Sequence, residues 1–134
     1  MARYAEDTRV PIEQSRSEVE KILTKYGADQ FSSGWTDAKA VVMFRMRERY
    51  VRVEMPLVSP KDAKAPKENR RRWRALVLYL KAILESVESE IVVFEDAFMS
   101  HIVMPNGETL GKFLLPQIED AYKSGKMPPQ LPGW

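Results

Sequence analysis

The chain has 134 residues, 44% of them hydrophobic and 30% charged, with 21 Lys and Arg against 19 Asp and Glu for a formal net charge of +2. That length and mix suit one globular domain with a real core and are too small for two independent ones. The absence of cysteine excludes disulfides, thiolate metal sites and cysteine nucleophiles; no run approaches membrane-spanning length and MARYAEDTRV lacks the apolar stretch of a signal peptide, so a cytoplasmic protein is expected.

Residues 1–10 are polar and are expected to be a loosely ordered N-terminal segment. PIEQSRSEVEKILTKYGA then predicts a helix, because Ile12, Val19, Ile22, Leu23 and Tyr26 fall on one face. Pro11 suits its first turn and Gly27 its stop, while Ser15 with Glu18 would make a capping box one turn later. QFSSGWTDAKAVVMFRMRERYVRVEMPL predicts three strands, the first over about Gln30 to Thr36. A hairpin around RERY with partner numbers summing to 97 sets Met46 against Val51, Phe44 against Val53 and Val42 against Met55, all on one apolar face. The same register sets Arg45 opposite Arg52, and the lack of Gly or Asn in the turn predicts a loop longer than two residues.

VSPKDAKAPKEN reads as a loop leading into a long helix from about Lys67 to Glu88. Its apolar stripe is Trp73, Leu76, Val77, Leu80, Ile83, Leu84 and Val87; Lys67, Arg70, Arg74 and Lys81 lie on the opposite side and Arg71 at the edge. A further helical piece spans about Ile91 to Ile102 with Phe94, Phe98 and Ile102 facing inward. MPNGET is a turn, LGKFLLPQIEDAYKSG is a last helix in which Pro116 is expected to kink the axis, and residues 127–134 form a Pro-rich C-terminal tail. The expected fold is a single α+β domain over residues 1–134, α-β-β-β-α-α-α, with a three-stranded antiparallel sheet packed on helices. Its first five elements are similar in order to a double-stranded-RNA-binding domain, an analogy of topology that does not establish function.

Charge is unevenly spread. Arg45 to Arg74 holds eleven bases and four acids, a balance of +7, whereas Ala75 to Asp120 holds two bases and eight acids, a balance of −6. The long helix places Arg70, Arg71, Arg72 and Arg74 near its start and Glu85, Glu88 and Glu90 near its end. That order opposes the helix macrodipole, which favours acids at the start. An anion held by arginines and helix-start N–H groups together would account for it, and so would acids of the same fold. Arg45, Arg47, Arg49 and Arg52 form a second cluster on the outer sheet face and its turn. If both clusters share one surface, they suit a phosphate backbone, with no base-reading motif alongside.

Catalytic signals are thin. His101 is the one histidine, Glu95 and Asp96 are adjacent and diverge on a helix, and Asp29 with Glu54 has no local support as a two-carboxylate site. No Walker loop, GxGxxG or nucleophile elbow is present, and no metal or cofactor is expected. The tail ends on LPGW; Trp134 could dock over its own core or serve as a recognition segment for a partner.

RYAEDT followed by VP, SRSEVEKILTKYGADQF, AVVMFRM, RRRWRALVLYLKAILESVESEI, FEDAFMSHIVMPNGETLG and PQIEDAYKSGKMPPQLPG resemble, block by block and in order, a family of small uncharacterised phage and prophage proteins. The resemblance implies expression in a host cell during infection or prophage induction, and carries no activity or catalytic residue with it. Two functions are therefore expected. One is a phage accessory protein of DNA replication or recombination that binds nucleic acid without sequence preference through Arg45, Arg47, Arg49, Arg52, Arg70, Arg71 and Arg74. The other is a protein–protein interaction module, such as a host-factor inhibitor or anti-defence protein, which uses its basic and acidic faces and could form homo-oligomers.

Overall fold

The structure is a computed structural model and describes residues 9–128. Helix α1 spans Ile12–Lys25 and follows Pro11, which stands as the N-cap with extended backbone. The chain then forms strands β1 (Gln30–Trp35), β2 (Lys39–Met46) and β3 (Arg49–Pro56), paired antiparallel in the order β1-β2-β3. Helix α2 (Ala65–Glu88, 24 residues) begins with Pro66 in its first turn, where a missing N–H costs nothing. A single-turn helix α3 (Phe94–Ala97), a 3-10 turn at Met99–His101 and helix α4 (Leu110–Ser124) complete the fold. The α+β architecture and its three-stranded antiparallel sheet are as expected; no helix among the described residues is long and apolar enough to cross a membrane.

Strand alternation decides which sheet face is covered. Ala40, Val42, Phe44 and Met46 of β2 and Val51 and Val53 of β3 are buried on one face. Val19 and Leu23 of α1 and Trp73, Leu76, Val77, Leu80 and Leu84 of α2 close over them. Phe94 and Phe98 from the α3 region complete this core, with Phe98 meeting Phe44 edge-on at a centroid distance of 5.6 Å. Helices α1 and α2 run side by side in the same direction, since Glu18 meets Arg74 and Tyr26 meets Glu85. The other sheet face carries Val41, Met43, Arg45, Arg52 and Glu54, none of them buried.

The hairpin register differs from the sequence reading. Val42 pairs with Val53, Phe44 with Val51 and Met46 with Arg49, so partner numbers sum to 95 rather than 97. The cause is a two-residue turn in which Arg47 (φ 51°) and Glu48 (φ 64°) both adopt the left-handed region. That is the type I′ geometry, whose twist matches the strands and which Asn-Gly usually supplies. The shift moves each residue to a neighbour two positions along, so the apolar face is preserved while the facing pairs change. Arg45 consequently faces Tyr50 and Arg52 faces Met43; the opposed arginine pair does not exist.

The expected helix at Ile91–Ile102 is much shorter. Its chain turns at Phe98 and His101, and Ile102 then forms an antiparallel bridge with Val51 while Val103 donates to the Tyr50 carbonyl. Residues 102 and 103 thereby cover part of the β3 edge, which would otherwise offer unpaired backbone groups. Helix α4 starts where the Thr109 hydroxyl accepts from the Lys112 N–H, stops at left-handed Gly125, and runs on through Pro116 as one element.

Candidate interaction surface

The arginines at the start of α2 and the turn arginines Arg47 and Arg49 lie at opposite ends of the molecule, with Arg45 and Arg52 on the outer sheet face. The start of α2 is fastened to the far end of β3: Arg72 donates to the Pro56 carbonyl at 2.8 Å, and the Asn69 amide exchanges two hydrogen bonds with the Val58 backbone at 2.9 and 3.0 Å. The β2–β3 turn sits instead at the finish of α2. There Arg47 lies over the Phe94 ring at 5.7 Å, lines a cleft with Glu88, Glu90 and Glu95, and neighbours Arg49, whose Nε is 3.9 Å from Glu95. The helical rise between residues 70 and 88 puts about 27 Å between the two regions.

Most of the helix-start arginines meet acids of their own fold. Glu68 accepts from Arg71 and lies 3.5 Å from Arg72, and the Arg71 hydrogen bond above all holds its carboxyl down at about 2. Arg74 reaches Glu18 of α1 at 2.5 Å, and that bond depresses the Glu18 pKa. Arg74 thus lies at the α1–α2 seam, not on the open side expected of it, and the Nε of Arg70 is buried without a hydrogen-bond partner among the described residues. None of these pairs draws on the acidic stretch from Ala75 to Asp120.

In the hairpin cluster, Arg45 pairs with Asp29 and Arg52 donates to the Gly107 carbonyl at 2.9 Å. Beside them Lys39 meets Glu54 at 2.5 Å, a hydrogen bond that lowers the Glu54 pKa. Lys61, Lys64 and Lys67 are exposed and form no ion pair among the described residues. Trp73 is buried in the core, as the stripe predicts; Trp134 lies outside the described residues.

Helix α4 presents a surface that the charge pattern does not announce. No residue of α4 is buried, although the helix is rich in apolar side chains. Leu110, Leu114, Gln117 and Ala121 face the body and are half-buried. Leu115, Ile118 and Tyr122, on the adjoining stripe, are 54%, 49% and 87% exposed. Between α4, the 3-10 turn and β3 runs a groove of about 630 Å³, lined by Leu110, Leu114, Leu115, Ile118 and Met99, with Arg52, Glu54 and His101 at its polar margin. Gly111 lets α4 approach this closely: a Cβ there would meet the Ser100 carbonyl at 2.8 Å.

His101 is half-buried and shares a 2.9 Å hydrogen bond between its Nε2 and the Tyr79 hydroxyl of α2. Burial depresses the His101 pKa and raises that of Tyr79, so both are neutral at pH 7. The pair joins the groove to the exposed side of α2. Sequence reasoning missed Leu115, Ile118 and Tyr122; the available signal was an apolar arc on α4 wider than one packing contact can cover. No family model matches the chain, and neither a curated protein nor a solved structure is found to match it.

Proposed function

We propose that this protein is an interaction module that docks on another protein through the apolar stripe of α4 and the groove beside it. The observation that carries this reading is a 15-residue helix with no buried side chain and with Leu115, Ile118 and Tyr122 turned to solvent. Docked helices in small domains normally bury such residues, and covering the exposed half of Leu115 and of Ile118 would contribute about 1 kcal/mol apiece. Arg52, Glu54 and His101 at the groove margin would supply the polar rim that orients a partner. In the setting that the phage resemblance implies, the partner is a host or phage protein in the host cytoplasm, and the module inhibits or adapts it.

Nucleic-acid binding is the second reading. Lys61, Lys64 and Lys67, exposed and unpaired among the described residues, extend the basic start of α2 and favour it. Division of the arginines between two ends weighs against one continuous phosphate track. A duplex titration by fluorescence anisotropy at two salt concentrations, beside affinity capture from host cells, separates the readings. The expected result is a captured partner that is lost with the double variant Leu115→Glu/Ile118→Glu, whose cooperative unfolding is kept, and no salt-sensitive duplex binding. Duplex binding that weakens with salt and is lost on replacing Lys61, Lys64 and Lys67 by Ala would overturn the docking reading.

A further inference from the structure

The side of α2 turned away from the sheet carries a hollow of about 460 Å³ lined by Ala75, Leu78, Tyr79 and Ala82. These positions are i, i+3, i+4 and i+7, the diamond of four side chains that receives one knob in helix–helix packing. Leu78 and Tyr79 stand at its rim, 37% and 44% exposed, and Tyr79 is fixed there by its bond to His101. The diamond is centred between positions 78 and 79. When a second copy of α2 lies across it antiparallel, the side chain that reaches the hollow is therefore Leu78 itself, and the contact is self-complementary.

Charge separates the antiparallel from the parallel arrangement. Residues 65–74, on one side of the hollow, carry five bases and one acid; residues 83–90, on the other, carry three acids and no base. Glu68 and Glu18 answer part of the basic end, as described above, and leave it net positive. Antiparallel pairing sets the basic start of each helix beside the acidic end of the other and opposes the two macrodipoles. Parallel pairing would set like against like at both ends.

We propose that α2 is a homodimerisation helix. Two copies pair antiparallel about a two-fold axis near Leu78, each Leu78 seated in the Ala75, Leu78, Tyr79 and Ala82 hollow of the other. The bases at the helix start, unfavourable toward their own dipole, then serve the dipole and the acids of the second copy. This surface is separate from the α4 stripe, so either can fail without the other.

Sedimentation across a dilution series tests the dimer, and the cysteine-free chain allows its direction to be read by disulfide trapping. The wild type should be a dimer at the upper concentrations, and Leu78→Glu should raise the dimer Kd at least ~100-fold with unfolding still cooperative. Ala75→Cys mixed with Ala82→Cys should cross-link on oxidation, while neither variant cross-links alone. The double variant Leu115→Glu/Ile118→Glu should dimerise as the wild type does. A monomer at every concentration, an undiminished Leu78→Glu dimer, self-cross-linking by either cysteine variant alone, or loss of the dimer through α4 each overturns the proposal.

Discussion

Arg47 and Glu48 hold a backbone conformation that L side chains adopt at a cost. Only the first gains a contact in exchange. The Arg47 guanidinium reaches the face of Phe94, a core residue, and so couples the turn to the chain after α2. Glu48 forms no hydrogen bond or ion pair among the described residues, so nothing offsets its left-handed φ. Replacing Glu48 with Gly should therefore stabilise the protein, by about 0.5–1 kcal/mol after the added freedom of the unfolded chain is deducted. A higher urea midpoint with an unchanged slope would bear this out; a lower one would mean that Glu48 makes a contact in solution. The same pair explains why the register was not legible. Val42, Phe44, Val51 and Val53 reveal the buried face by alternation alone, but no residue in RERY signals a positive φ, and without the turn type two registers share that face.

At the scale of elements, legibility follows the strength of the periodic signal. Helix α2 was readable to within two residues of its start because Trp73, Leu76, Val77, Leu80 and Leu84 repeat over about three turns on the buried side. The region after it was not. Phe94 and Phe98 are spaced like a helix, yet Ile102 is drawn away to the β3 edge, a tertiary pairing 51 residues apart in number that no local pattern encodes. The docking of α4 was equally invisible, since it depends on the close approach of Gly111 to Ser100. Gly111→Ala sets two effects against each other. Alanine improves helix propensity by at most about 1 kcal/mol, the helix-interior figure, since Gly111 is the second residue of α4, but its Cβ would sit 2.8 Å from a backbone oxygen that is not free to rotate away. Overpacking of that kind costs about 1–3 kcal/mol. Hydrogen exchange should show protection in residues 112–124 falling at least ~10-fold while the α2 core amides are unchanged. Unchanged protection in α4 would mean that its docking on the 3-10 turn tolerates a shift, and that the groove has no fixed width.

Across the whole molecule the charge boundary resolves into short local pairings and two unlike ends. Glu18, Glu54 and Glu68 each answer a base contributed by the same or another element, at Arg74, Lys39 and Arg71. All three have folded-state pKa values below the ordinary carboxyl range, set chiefly by those hydrogen bonds, and Glu68 lies at about 2. A carboxyl whose pKa is lower when folded contributes stability that is complete above the unfolded value of about 4.3 and is lost as pH falls through the folded one. His101 acts in the same direction by another cause. Burial depresses its pKa, so from about pH 6.5 downward the unfolded chain takes up a proton that the folded chain resists. Stability should therefore decline in two stages, first from about pH 6.5 downward through His101 and then from about 4.3 toward 2 through the carboxylates. The second stage should be modest, about 1–2 kcal/mol in total, because each of these ion pairs is partly solvated and side-chain entropy opposes it. Thermal melts across this range should show the first stage abolished in His101→Gln and the second stage flattened in 1 M salt. A first stage retained in His101→Gln would place the titrating group elsewhere, and the Tyr79–His101 link between α2 and the α4 groove would then carry no pH dependence.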